Sequence, residues 1–144
     1  MQDIPTDRAA YPVLRAITTR WMDNDQYGHV NNVVYYSYFD TAVNAFLIEA
    51  TGTDIRKLPA IGIVAESGCR FLSALSFPET VEAGLRLEKL GRSSVIYRIG
   101  LFSQGDESAA AVGRFVHVYV DPATRAVVPV PDPIRAALAR ITVP

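Results

Sequence analysis

The sequence holds a single cysteine, Cys69, which excludes an intramolecular disulfide and any metal cluster built on cysteine. Neither sign of charge dominates, with 15 acidic against 14 basic side chains, and no basic block occurs anywhere along the chain. Nucleic acid and anionic membrane are therefore not expected as partners. No stretch of about 18 residues is apolar without polar interruption. The opening Met1-Gln2-Asp3-Ile4-Pro5 has neither a basic region nor an apolar core. Neither a membrane span nor a signal peptide is expected, and the expected location is cytoplasmic. Internal repeats and linkers are missing as well. What remains is 144 residues, 49% hydrophobic and 20% charged, which reads as one folded domain, residues 1–144, with a core of its own.

The segment from 21 to 52 carries most of the information. From Val33 the apolar residues Val34, Tyr35, Tyr38, Phe39, Ala42, Phe46 and Leu47 recur at three- and four-residue spacings, with Val43 and Ile48 widening the stripe. That period predicts a helix. Its only polar residues near the middle, Ser37, Asp40, Thr41 and Asn44, fall on one narrow stripe, so other elements must wrap the rest. Asn31 or Asn32 can cap its start and Gly52 its end, giving a rod of about 27 Å. Just ahead of it Asp23, Asn24, Asp25, Gln26, Gly28, His29, Asn31 and Asn32 crowd into ten positions. Carboxylates, a histidine and amides thus arrive beside free backbone N–H groups and the positive end of a helix dipole, where developing negative charge is favoured.

Around this helix the sequence predicts strands. Residues 11–21 carry β-branched Val13, Ile17, Thr18 and Thr19, and residues 61–75 read as a second, long strand bent or bulged near Gly68. Val81, Ala83, Leu85 and Leu87 alternate with Glu82, Gly84, Arg86 and Glu88. Short glycine-containing turns at Gly91-Arg92-Ser93 and Ser103-Gln104-Gly105-Asp106 then lead into residues 95–102 and 109–120, which makes an antiparallel meander. A short helix is expected at 133–141, and residues 1–9 read as a loose arm. One helix buried on most sides and about five strands imply an α+β fold, a curled antiparallel sheet around a central helix, with an open edge that a second copy would cover.

The run Asp23-Asn24-Asp25 followed by Gly28-His29-Val30-Asn31-Asn32 and an aromatic-rich helix resembles the acyl-CoA thioesterases of the hotdog fold, specifically the 4-hydroxybenzoyl-CoA thioesterase family. Its His-Val-Asn-Asn form is similar to the long-chain acyl-CoA and acyl-carrier-protein members. A weaker likeness extends over roughly residues 13–138. The resemblance implies a thioester hydrolase without cofactor or metal, acting on acyl-CoA or acyl carrier protein as a homodimer or homotetramer with acyl sites between subunits.

Matched position by position, Asp25 falls on the catalytic carboxylate and Asn32 on the first-turn residue whose backbone N–H polarises the thioester carbonyl. Asp25 then acts either as nucleophile or as general base. His29, where the founding enzyme has an aliphatic residue, either orients water or the carboxylate or is held by loop backbone. Asp23 is expected to fix the loop through backbone hydrogen bonds, and Asn31 to cap the helix first and serve the site second. Glu66 is a candidate second carboxylate, with a salt bridge to Arg70 or a helix residue as its other fate. Arg92, Ser93 and Ser94 sit in a turn suited to the phosphates or pantetheine of CoA. His117 and Cys69 read as structural. Two rival readings share the fold. A hydratase or dehydratase needs histidine–carboxylate pairs in other settings, which are missing; a binding module would hold thioesters without cleaving them.

Overall fold

The computed structural model describes residues 4–144. Its elements in chain order are β1 (Val13–Thr18), α1 (Asn32–Thr51), β2 (Ile61–Phe71), β3 (Thr80–Leu90), β4 (Ser94–Ser103), β5 (Ala111–Val120) and α2 (Asp132–Leu138). The five strands form one antiparallel sheet in the order β1-β3-β4-β5-β2. The meander β3-β4-β5 is its middle, β1 is added beside β3, and β2 lies beyond β5 as the other outer strand.

Helix α1 begins where the sequence says it should. Asn31 is the cap, its side-chain oxygen accepting from the N–H of Val33 at 3.1 Å, and Gly52 ends the helix in the left-handed region at φ 66°. The buried face of α1 is Tyr35, Tyr38, Phe39, Ala42, Val43, Phe46 and Leu47. It packs into one core with inward-facing residues of the sheet, among them Val81, Ala83 and Leu85 of β3, Tyr97 and Ile99 of β4, and Phe115 and Tyr119 of β5. Gly113 of β5 makes the closest approach possible: a Cβ there would stand 2.4 Å from the ring of Phe39. Val33, Ser37, Asp40, Thr41 and Ile48 stay exposed on the opposite stripe. A long helix wrapped by a curled five-stranded sheet is the hotdog arrangement. Among the described residues no helix is long and apolar enough to cross a membrane.

Three details differ from the sequence-based expectation. The arm is not loose from Ile4 onward: Ile4 and Tyr11 are buried against Phe102, Ala109 and Val112 on the convex face of the sheet, and the Tyr11 hydroxyl donates to the carbonyl of Pro5 at 2.5 Å. Residues 1–3 of that arm, and with them the opening of the expected leaderless N-terminus, lie outside the described residues. Strand β1 ends at Thr18, and Trp21–Asp23 forms a 3₁₀ turn instead of continuing it. The bulge in β2 falls at Ala65, not near Gly68, because β2 pairs Val64 with His117 and Glu66 with Val116 of β5.

Candidate active site

The loop ahead of α1 is held from beneath by Asp23. Its carboxylate is fully buried and accepts from the backbone N–H of Arg20 at 2.9 Å, from the Arg20 guanidinium at 2.8 Å and from the Tyr38 hydroxyl of α1 at 2.7 Å. Burial pushes this carboxyl up, but the Tyr38 hydroxyl and the two Arg20 contacts together outweigh it and hold the group below the ordinary aspartate range. The Asp23 carbonyl also accepts from the N–H of Asn31 at 2.8 Å, which fixes the last residue before the helix. Asp23 thus holds the loop through backbone at Arg20 and Asn31, as expected, and through the side chains of Arg20 and Tyr38 as well.

Above this anchor the chain makes a small hairpin. Asn24 and Val30 form a bridge, the Asp25 N–H donates to the His29 carbonyl at 2.9 Å, and Gly28 turns the corner at φ 83°. The Asp25 side chain is half-buried, and its Oδ1 accepts from the N–H of Tyr27 at 2.8 Å. One carboxylate oxygen is thereby committed to holding the turn, while among the described residues no hydrogen bond occupies the other. At the helix start the Asn31 side chain takes the N–H of Val33, and the Asn31 carbonyl takes that of Val34 at 2.9 Å. The backbone N–H of Asn32, by contrast, makes no hydrogen bond within the described residues.

Asp25, His29 and Asn32 line one open hollow of about 430 Å³ together with Val30, Tyr35 and the segment from Phe71 to Ala74. The structure thus brings a free carboxylate oxygen and a free N–H at a helix N-terminus to one surface, an arrangement that can supply both attack and oxyanion stabilisation. Part of the hollow's rim is apolar: Phe71 and Leu72 are both exposed. The Phe71–Ala74 wall was not foreseen from the sequence, where those residues read as the end of a strand.

Asn31 caps the helix through its side-chain oxygen. The remaining expected site residues lie away from the hollow. Glu66 projects into solvent on β2 and pairs with Arg114 of β5, not with Arg70 or a helix residue. Arg92, Ser93 and Ser94 form the β3–β4 turn, pinned by their carbonyls: Arg92 accepts from Val130 N–H, and Ser93 from Tyr119 N–H, both at 2.8 Å. That turn is at the end of the sheet where β2 begins, opposite the end where Asp25 lies. Among the described residues no group of three or more histidine, cysteine, aspartate or glutamate side chains is gathered where it could hold a metal ion.

Residues 19–138 match the model of the thioesterase-like superfamily. Among solved structures, the chain is similar to the PA5185 protein of Pseudomonas aeruginosa, with 47% identity over 95% of this chain and 96% of that one and a TM-score of 0.91. It is also similar to a thioesterase from Thermus thermophilus complexed with coenzyme A and Zn (28% identity, 92% of each chain, TM-score 0.73). A third is the gentisyl-coenzyme A thioesterase BH1999 (26% identity, 88% of this chain and 99% of that one, TM-score 0.76). No curated protein matches the chain.

Proposed function

Because the chain belongs to the thioesterase-like superfamily, we propose that it hydrolyses an acyl thioester of coenzyme A, or of an acyl carrier protein, to the free acid and thiol. The observation that carries this reading is the shared hollow, in which Asp25 keeps an unengaged oxygen and Asn32 an unengaged N–H. The thioester carbonyl oxygen accepts from the Asn32 N–H, in the field of the α1 dipole, so charge that develops on it is met without reorganisation. Asp25 then follows one of two routes. It attacks the carbonyl carbon, expelling the thiolate and leaving a mixed anhydride for water to open, or it takes a proton from a water that attacks directly. His29, exposed in the same hollow, orients that water or the carboxylate. The 4-hydroxybenzoyl-CoA thioesterase family, in its His-Val-Asn-Asn form, is the branch that the loop resembles. Two of the similar structures support CoA as carrier, since their names include a CoA ester or bound coenzyme A.

The working unit in this reading is a pair of chains at least, as a dimer or within a tetramer. Among the described residues strand β2 has a partner only on its β5 side, and Ile63, Val64 and Phe71 along it are 38%, 48% and 44% exposed. Antiparallel pairing of two β2 edges about a two-fold axis would continue the sheet and cover the apolar rim of the Asp25 hollow. The same axis brings Arg92, Ser93 and Ser94 of one copy to the Asp25 end of the other, where the phosphates of CoA would lie.

The test is an acyl-CoA and acyl-carrier-protein panel with a thiol reagent. Wild-type protein should release thiol, and Asp25→Asn, which keeps the shape and removes the charge, should lower the rate by about 10²-fold or more. Wild-type turnover by Asp25→Asn, or saturable binding with no thiol release by the unaltered protein, would sink the hydrolase reading.

A further inference from the structure

The side chains along the bare edge of β2 divide by face. Val64 pairs with His117 and Phe71 with Ala111, so both turn to the core face, where Phe71 stands edge-on to the Tyr35 ring of α1 at 4.9 Å. Glu66 pairs with Arg114 and Arg70 with Val112, which puts both on the convex face. Glu66 binds Arg114 through Oε1 and leaves Oε2 unengaged. Arg70 is exposed and has no ion pair among the described residues. Ile63, Val64, Phe71 and Leu72 are exposed apolar side chains on the same short strand. The backbone is open as well. Leu72 turns its N–H to the Ala110 carbonyl on the β5 side, so by alternation the backbone groups of Phe71, Cys69 and Ser67 point to the free edge.

For two such edges to pair antiparallel with core face continuing core face, the two-fold axis must pass through a β2 residue. A shift of one position would set core-face side chains against convex-face ones. Charge and polarity then choose the residue. An axis at Glu66 opposes two carboxylates and one at Arg70 opposes two guanidinium groups, both unfavourable. An axis at Ser67 sets Arg70 against Ile63, one at Cys69 sets Glu66 against Leu72, and axes nearer either end of β2 shorten the pairing. An axis at Gly68 makes every meeting complementary. Glu66 of one copy faces Arg70 of the other on the convex face. The bulge at Ala65 takes up one residue, so Val64 falls opposite Phe71 on the core face and Ile63 opposite Leu72. Without that extra residue Ala65 would stand opposite Phe71.

Resting on the thioesterase reading and its paired β2 edges, we propose that a second copy docks on β2 about a dyad at Gly68, and that its Val64 and Ile63 complete the wall of the Asp25 hollow by covering Phe71 and Leu72. Two Glu66–Arg70 bridges between copies, one on each side of the dyad, hold the register. Each stands at a pair that exchanges no backbone hydrogen bonds, where facing side chains come closest, with Cβ atoms about 4.5–5.5 Å apart. Glu66 then accepts from Arg114 of its own chain and from Arg70 of the other. Ile63 shares a cross-strand row with Val118 and Ser94, so the same dyad carries the β3–β4 turn of one copy to the Asp25 end of the other.

The test is sedimentation of the full chain without substrate, with Arg70→Glu and Glu66→Lys measured alone and mixed. Alone, each variant opposes like charges at both bridges, and its dimer dissociation constant should rise about tenfold. In an equimolar mixture every bridge has one acid and one base again, so mixed dimers should form as tightly as wild-type ones. Disulfide capture reads the same register without altering charge. Gly68→Cys in a Cys69→Ser chain should oxidise to a linked dimer, because residues facing each other at the dyad have Cα atoms about 4.5 Å apart, within disulfide reach. A Val64→Cys chain mixed with a Phe71→Cys chain, both carrying Cys69→Ser, should link likewise, which reads the wall directly. A wild-type chain that stays monomeric, weakening by one charge variant and not the other, no recovery on mixing, or linkage through native Cys69 in place of these positions overturns the inference. Pairing is measured with no thioester present, so a chain that pairs this way and releases no thiol counts against the hydrolase reading alone.

Discussion

Asp23 and Asp25 stand two positions apart and meet opposite fates. Asp23 is buried under three hydrogen-bonding contacts from Arg20 and Tyr38, and Asp25 keeps one oxygen open to the hollow. The folded-state pKa of Asp23 is depressed, so its contribution is present above the unfolded aspartate value of about 3.9 and is lost as pH falls below it. Asp23→Ala removes the carboxylate and orphans the buried Tyr38 hydroxyl. Denaturant titration at pH 7 should show a loss of about 2–3 kcal/mol. His117 acts earlier in an acid titration. Its folded pKa of about 4 lies below the unfolded value, so the unfolded chain binds the proton first, and stability declines from about pH 6.5 down to 4 by up to about 3 kcal/mol. His117→Phe should flatten that limb of the stability–pH curve. The sequence exposed the Asp-x-Asp motif and the Asn cap because both are local. It misdirected Glu66 towards Arg70, since four positions along a strand span about 13 Å. Arg114 is adjacent only through the β2–β5 register. His117 read as structural, but the isolation of its buried Nδ1, which has no hydrogen-bond partner among the described residues, is a tertiary fact.

At the level of elements, α1 and the meander were readable because each carries a local signal, a period of 3.6 for the helix, a period of 2 for β3, and short glycine-containing turns leading into β4 and β5. The bulge at Ala65 was not, since it is a mismatch between two strands and no single strand encodes it. The N-terminal arm was misread for a related reason. Its few apolar residues are too sparse to show a pattern, yet Tyr11 lies across paired Gly84 and Gly100, where a Cβ would meet its ring at 2.6 Å and 2.9 Å. Those glycines look in sequence like weak points in strands; in the fold they are the seat of an aromatic ring. Gly113 has the same part on the inner face. Gly113→Ala should drive Phe39 off the sheet and cost about 1–3 kcal/mol, measured as a lowered thermal midpoint.

For the whole molecule, one buried rod and a curled antiparallel sheet followed from the sequence, but not which strand would be left outermost. Strand β2 follows α1 directly in the chain yet is placed beyond β5, so its edge and its exposed Ile63 and Val64 emerge only from the strand order. If β2 edges pair as proposed, Val64→Lys puts a charge on that edge and should shift sedimentation towards the monomer, with the proposed thioester hydrolysis falling in parallel. The placement of the site residues has a kinetic outcome. In the proposed reading, with Asp25 at one end of β2 and Arg92, Ser93 and Ser94 at the other, a solitary chain carries two half-sites that never meet. Rate per molecule should therefore decline on dilution through the range where pairs dissociate, so the amount of this protein made in a cell sets its efficiency as well as its total output.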